Sequence, residues 1–353
     1  MERIGVLGGT FDPVHREHIS MADGVMRELA LDRLIVMPTF VPPHKVHSEC
    51  APAADRLEMC RLAFAGRRAD VCGYEIERGG TSYTYKTLEH LKEKYPESKL
   101  YFIVGGDMLV GKKGCSFAPA LEFVSKLPAI APVYYACGNH EQRMKRKPEV
   151  YADVEAERKY FKSRFGKGFT ELAYTGRRVS STKIRIYAMF GLDVFGFVPE
   201  NVGAYMEKRG LYPPTPAVEL VKSVLDKRRF RHTANVAACA LDKAKTLGID
   251  RDKAFDACVL HDIAKYADKA LYPGAVAEDV PAPVAHAFLG AYMLENVFGV
   301  KDGEILDAVR YHTTARAGMS PLEKLVFTAD MVEEDRCFAG VEELRRLYDT
   351  DFE

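Results

Sequence analysis

The first half of the chain alternates short apolar runs with longer stretches whose apolar residues recur at helical spacing. Arg3-Ile4-Gly5-Val6-Leu7 has the apolar, β-branched character of a buried strand. Ile19, Ala22, Met26, Leu29 and Ala30 then form a helical stripe within residues 19–31. Residues 34–37, 100–104, 128–136 and 169–174 predict further strands, and residues 55–65, 84–94 and 181–190 predict helices between them. Residues 141–167 are heavily charged and read as a helix with a solvated face. Such alternation predicts a parallel sheet covered on both faces, with ligands beyond the carboxyl ends of its strands.

After residue 209 the pattern changes. Residues 199–209 read as a closing helix, and Leu211-Tyr212-Pro213-Pro214-Thr215-Pro216 then breaks any helix and reads as a semi-rigid linker. Beyond it strand signals vanish. Apolar residues keep helical spacing through 218–225, 234–244, 254–260, 284–297, 305–311 and 322–331. The expectation is an α/β domain over 1–212, a linker at 213–216 and an all-α domain over 217–353, which suits a chain of 353 residues.

Composition narrows the partners. Fifty basic and fifty acidic residues cancel, which removes any global electrostatic case for nucleic acid or an anionic membrane. No apolar run approaches a membrane span, and the first residues lack a signal-peptide core. Eight scattered cysteines with no C-x-x-C pair suggest reduced thiols in the cytoplasm. Nucleic acid and membrane partners are therefore not expected, and self-association is left open.

Candidate chemistry clusters after the strand-like runs. Gly8 to His18 is a strand end, a glycine loop and a helix start, which suits phosphate through bare N–H groups and the helix dipole. A tight turn with two surface histidines fits the loop alone equally well. Pro42-Pro43-His44-Lys45 is a rigid turn that projects a donor and a charge. Ser180, Ser181 and Thr182 precede an apolar run as N-cap residues, a role compatible with anion binding, and Arg185 lies one turn later. In the second half His232, His261-Asp262, His286, His312 and Asp330 recur about one helix and one loop apart. Consecutive helices of a bundle could aim one ligand each at a common point, and imidazole with carboxylate suits Mn, Fe or Zn. Any one of these histidines could be structural, but burying His261 and Asp262 together without a ligand would be costly.

The motif Gly8-Gly9-Thr10-Phe11-Asp12-Pro13-Val14-His15-Arg16-Glu17-His18 resembles the signature of nucleotidyltransferases, in particular the bacterial nicotinate mononucleotide adenylyltransferases. That family usually has glycine at the place of Glu17. Pro42–Lys45, Arg56-Leu57-Glu58-Met59, Glu75–Arg78 with Thr81–Thr84, Gly105-Gly106-Asp107 and Ser180-Ser181-Thr182-Lys183-Ile184-Arg185 extend the likeness. The resemblance implies a Rossmann-like sheet and attack by a mononucleotide phosphate on the α-phosphorus of ATP, with Mg²⁺ bridging the phosphates and pyrophosphate leaving. It implies His15, His18, Lys45 and Arg185 as charge stabilisers. Contacts to ATP or substrate would come from Gly8, Gly9, Thr10, Phe11, His44, Thr84, Gly105, Ser180, Ser181 and Thr182, and Asp107 would hold a ribose. Departures fall on the acceptor side. The family's tryptophan after Gly-x-Asp is absent from residues 108–123, its Arg-Pro-Gly segment is missing, and Lys86 stands where it usually has Asp.

His232, His261-Asp262-Ile263-Ala264-Lys265, Tyr311-His312-Thr313-Thr314, residues 318–324 and Ala329-Asp330-Met331-Val332-Glu333 resemble the HD superfamily of metal-dependent phosphohydrolases. The branch is that of the symmetrical dinucleoside-tetraphosphate hydrolases, which split diadenosine tetraphosphate into two ADP. The resemblance implies two divalent ions, Fe or Mn, held by His232, His261, Asp262, His286, His312 and Asp330 and bridged by Asp262. Lys265, Arg229 and Arg336 would meet phosphate, although Arg229 also belongs to a basic surface run at 227–231. Two alternatives stay open: a front domain that binds ATP without transferring it, and a rear domain that cleaves another nucleotide phosphoester.

Overall fold

A computed structural model describes residues 1–40, 50–80, 84–105, 134–136, 163, 170–174, 176 and 179–352. The described residues form two compact units, one of Met1–Ser181 with Phe195–Leu211, the other of Thr182–Val194 with Tyr212–Glu353.

In the first unit, β1 (Arg3–Gly9), β2 (Arg33–Pro38), β3 (Ala69–Val71), β4 (Lys99–Gly105), β5 (Tyr134–Ala136) and β6 (Thr170–Leu172) make one sheet in the order β3-β2-β1-β4-β5-β6. Every pairing is parallel. The strand order reverses beside β1, so Gly8 and Gly9 end the strand at the switch point where such sheets bind ligands. Helices α1 (Arg16–Glu28), α2 (Ala53–Phe64), α3 (Tyr74–Arg78) and α4 (Thr84–Lys94) connect the strands. α1 buries Ile19, Ala22, Val25 and Met26, the stripe that its spacing predicts. β3 escapes a pattern reading because three residues cannot show alternation. Most of the strand expected at 128–136, and all but Ser163 of the charged segment 141–167, lie outside the described residues.

The second unit is helical: α5 (Ser181–Met189, apart from Ser181), α7 (Pro216–Val224), α8 (Lys227–Leu247), α9 (Arg251–Leu260), α10 (Ala285–Asn296), α11 (Gly303–Tyr311), α12 (Pro321–Val332) and α13 (Val341–Thr350). α6 (Glu200–Arg209) closes the first unit, where its Tyr205 and Arg209 bond Asp55. Side-chain caps start many of these helices: Thr215, Asp226, Asp250, Asp302 and Ser320 each accept a backbone N–H of the first turn. α8 presents Ala234, Ala237, Ala240, Leu241 and Ala244 to the core. Val259, Leu294, Val309 and Leu325 are buried in the same core. Burying each of the larger four contributes about 1.5–3 kcal/mol. The division differs from the linear one at 212–217. Residues 182–194 pack with the helical unit because Ile186 and Phe190 enter its core, with the Phe190 ring 4.7 Å from that of Phe230. Among the described residues no helix is long and apolar enough to cross a membrane.

Candidate functional site

The first candidate site is built at the end of β1. Phe11 adopts a left-handed φ of 50°, unusual for a residue with a side chain, and its ring folds over Gly9. A Cβ on Gly9 would sit 3.0 Å from that ring, which would have to give way, whereas a Cβ on Gly8 would meet nothing within 4 Å. Backbone strain of this kind is characteristic of ligand loops. The loop is pinned from beneath by Arg56, which is 1 % exposed. Its guanidinium donates to the carbonyls of Thr10 (2.8 Å), Thr39 (2.6 Å), Phe40 (2.7 Å) and Ala51 (3.0 Å). Asp12 adds a bond from the Ala51 N–H, and the Ser181 hydroxyl donates to the Pro13 carbonyl. As a sequence, Arg56 is one polar residue of an amphipathic helix. Only its burial marks it as the clamp between two loops.

His15 and His18 stack with ring centroids 3.7 Å apart. The His15 N–H donates to His18 Nδ1 at 3.2 Å, so His18 carries its proton on Nε2. Burial lowers His15 to about 4, and burial together with its neighbour lowers His18 well below the ordinary histidine value. Both imidazoles are thus neutral at pH 7 in the free site and would stabilise phosphate charge as N–H donors. The Arg16 N–H at the helix start is already taken by the Phe197 carbonyl. Glu17 turns to Tyr174, whose hydroxyl donates to it at 3.0 Å. Arg185 is buried on α5, 3.4 Å from the Thr182 hydroxyl. Ser180 precedes that helix, Gly105 ends β4, and Thr84 begins α4. His44, Lys45 and Asp107 lie outside the described residues.

The second candidate site draws on five consecutive helices. α8 supplies His232, the end of α9 His261 and Asp262, the first turn of α10 His286, the end of α11 His312, and α12 Asp330. All four imidazoles turn Nε2 inward. His232 Nε2 lies 2.9 Å from Asp330 Oδ1, His261 Nε2 3.3 Å from Asp262 Oδ2, and His286 and His312 Nε2 at 3.1 and 3.6 Å from Asp262 Oδ1. Three of the rings are oriented from behind. His261 and His312 approach the carbonyls three residues earlier, Cys258 and Val309, each at 2.7 Å from Nδ1. His232 Nδ1 lies 3.1 Å from Glu333 Oε1. Carbonyl and carboxylate only accept, so Nδ1 carries the proton and the Nε2 lone pair faces the site, as a metal ligand requires.

The arrangement fits divalent ions. His232, His261 and Asp330 bring ligand atoms within 4.8 Å of one another, and so do His261, Asp262 and His312. His232 Nε2, His261 Nε2 and Asp262 Oδ1 are buried without a protein hydrogen bond, an expensive state for polar atoms that a cation would relieve. Asp262 points one oxygen to each side of the cluster, a bridging posture. Burial would raise both carboxyls, but His261, His286 and His312 hold Asp262, and His232, His261 and Arg336 hold Asp330, well below the usual range. Arg229 donates to Asp262 Oδ2 at 2.9 Å, Lys265 Nζ lies 3.0 Å from His286 Nε2, and Arg336 bonds Asp330. Burial and Arg229 push the Lys265 ammonium below its ordinary value despite Asp262. Every residue expected here is therefore brought together. Glu333 was legible as part of a motif but not as the residue that orients His232.

Residues 6–186 match the model of the cytidylyltransferase-like family and residues 229–335 that of the HD domain. A probable nicotinate-nucleotide adenylyltransferase of Geobacillus kaustophilus is 33% identical over 232 residues, 65% of this chain and 95% of that protein. A Mycoplasma genitalium protein, a probable nicotinate-nucleotide adenylyltransferase/Ap4A hydrolase, is 26% identical over 95% of this chain and 88% of its own length. The symmetrical bis(5'-nucleosyl)-tetraphosphatase of Bacillus subtilis is 41% identical over 143 residues, 38% of this chain and 77% of that protein.

Proposed function

Because the chain belongs to the cytidylyltransferase-like family in its first half and carries an HD domain in its second, we propose that it is bifunctional. The first unit transfers AMP from ATP to nicotinate mononucleotide, giving deamido-NAD and pyrophosphate, a step of NAD biosynthesis in the cytoplasm. The second hydrolyses diadenosine tetraphosphate symmetrically to two ADP. The observation that carries the hydrolase is the convergence of four oriented imidazoles on Asp262 and Asp330, with three of the inward atoms lacking protein partners.

In the transferase, ATP arrives with Mg²⁺. The strained loop at Gly8–Phe11 offers backbone to the phosphates, and His18 offers its Nε2–H to the oxygen on which charge develops. His15 adds a donor, with Arg185, Lys45 and His44 assigned from the motif. Asp107 is assigned to a ribose. The chemistry is in-line displacement, so the protein's task is positioning and charge neutralisation.

In the hydrolase, His232, His261, Asp262, His286, His312 and Asp330 would hold two divalent ions, which would supply Lewis-acid activation of water and of the attacked phosphate; the nitrogen and oxygen donor set suits Fe or Mn. Arg229, Lys265 and Arg336 sit on the site carboxylates and are placed to transfer their bonds to phosphate oxygens. Asp262 and the three oriented histidines fix the cluster.

The test is a pair of assays on the full chain. Pyrophosphate release from ATP is expected with nicotinate mononucleotide and far less with nicotinamide mononucleotide or phosphopantetheine. ADP is expected as the sole product from diadenosine tetraphosphate with Mn²⁺ or Fe²⁺, and not with Asp262→Ala. The missing tryptophan and Arg-Pro-Gly segment favour a second reading, in which the first unit only binds nucleotide. ATP binding without pyrophosphate release for any acceptor establishes that reading instead.

A further inference from the structure

Behind His232 lies a chain of side chains that reaches α5, the helix whose first turn carries Ser181-Thr182-Lys183-Ile184-Arg185. Glu333 is 2 % exposed and accepts from His232 Nδ1 with one oxygen. Its other oxygen accepts from the Asp335 N–H at 2.8 Å and from Asn235 Nδ2 at 3.0 Å. Asn235 uses its second N–H on the Asp335 carboxylate, also at 3.0 Å. With both protons of that amide spent on carboxylates, its oxygen is fixed toward Tyr187, whose hydroxyl lies 2.7 Å away. The same hydroxyl reaches Glu334, which Lys183 also holds. Arg345 secures the turn, donating to the carbonyls of Val332, Glu333, Glu334 and Arg336.

The carboxylates of Glu333 and Asp335 hold both protons of the Asn235 amide, and Tyr187 completes the chain at its other end, where its single hydroxyl proton is shared between Asn235 Oδ1 and Glu334. A reversed amide would aim its oxygen at Glu333 and Asp335, an acceptor against two carboxylates. Glu333 Oε2 would then keep the Asp335 N–H but lose its second donor, which loosens the seat for His232 Nδ1–H.

We infer that Tyr187, through Asn235 and Glu333, is a positioning residue of the metal centre, so that the helix opening with the Ser-Ser-Thr motif also sets the orientation of His232. The inference rests on reading the histidine–aspartate cluster as a divalent-metal site. It assigns Tyr187 no contact with metal or substrate. Partners that orient a metal-bound imidazole are commonly worth about 10–100-fold in metal affinity, and a residue two bonds further out is worth less.

The test uses the full-length chain without nucleotide and titrates it with Mn²⁺ by calorimetry, and with Co²⁺ by visible absorption. Tyr187→Phe removes one hydroxyl and leaves the buried ring. Tyr348→Phe is the control, since it also removes a buried hydroxyl in the same unit, one bonded to the Cys239 carbonyl and outside this chain of bonds. Tyr187→Phe is expected to weaken Mn²⁺ binding about threefold to tenfold and to shift the Co²⁺ bands, with Glu333→Gln larger in the same direction. Tyr348→Phe is expected to leave both readouts unchanged while lowering the melting temperature. Wild-type affinity retained within twofold by Tyr187→Phe, with unchanged Co²⁺ bands, overturns the inference. So does an equal loss in both tyrosine variants, which reports general loosening. A wild-type chain that binds neither ion overturns the reading of the cluster itself, and this inference with it.

Discussion

The two candidate sites handle histidine in opposite ways. In the first, His15 and His18 are buried against each other and Phe11, with no carboxylate among the described residues bonded to either ring, so burial strips their charge. In the second, every imidazole faces a carboxylate, and the carboxylates are held ionised. The first site is a neutral donor surface for a ligand that brings its own charge and its own cation. The second is a preformed set of imidazole nitrogens and ionised carboxylates that suits a cation. One residue type serves both chemistries, and what differs is the group opposite the ring.

The largest expected effect breaks the pair apart. Asp262→Asn should nearly abolish hydrolysis of diadenosine tetraphosphate while leaving adenylyl transfer within a few-fold. His18→Ala should do the reverse, lowering transfer by more than about a hundredfold, the scale of losing one donor to a developing charge. Product analysis of both reactions on each variant checks this. A variant that loses both activities would mean that the two sites are not separately built.

A smaller effect concerns the support of the first site. Arg56 satisfies four carbonyls, and leaving buried acceptors without partners costs about 1–3 kcal/mol each, reduced by relaxation. Lysine keeps the charge but lacks the fork. Arg56→Lys should therefore lower the melting temperature and raise the KM for ATP about tenfold as the loop shifts, with diadenosine tetraphosphate hydrolysis unchanged. Steady-state kinetics of both reactions and a thermal melt decide it.

Much of the second site was legible because its chemistry is carried by side chains at regular intervals. One ligand per helix leaves a spacing that survives in the sequence. Its outer layer was not legible, since Asn235 and Glu333 meet across 98 residues and no periodicity records such a pair. The first site shows less in its residue types, because a glycine loop works through backbone and through what lies beneath it. Arg56 is ordinary as a letter and decisive when buried. The compact units depart from the expected 1–212, 213–216 and 217–353 for a related reason. Pro213, Pro214 and Pro216 advertise a linker, whereas α5 joins the helical unit through Ile186 and Phe190, two apolar residues that would suit either domain.

The electrostatic contrast also predicts a pH window. His15 titrates near 6.5 when unfolded and at about 4 when folded, so on acidification the unfolded chain takes up its proton first. Its contribution to stability is complete above 6.5 and is lost as the pH falls toward 4, at most about 3 kcal/mol. Urea unfolding of wild type and His15→Gln across pH 4–7 should show a shallower decline in the variant. Parallel declines would assign the acid sensitivity elsewhere.

The smallest expected effect is at Glu17, a carboxylate placed between the two histidines where the related transferases have glycine. A carboxylate aimed at a triphosphate would repel it, and its removal would strengthen binding. The side chain instead accepts from the Tyr174 hydroxyl, and a Cβ on Gly176 would come within 2.8 Å of its oxygen, so it is directed to the 174–176 segment. Its place on α1 permits this, because residues one apart on a helix do not share a face. Glu17→Gly should therefore leave the affinity for ATP within a few-fold. The glycine should cost about 1 kcal/mol of stability through helix propensity, plus the loss of the tyrosine bond. Calorimetry with ATP and a thermal melt separate the two terms. A large gain in ATP affinity would mean that Glu17 faces the nucleotide and that the loop at Gly8–His18 no longer serves a triphosphate.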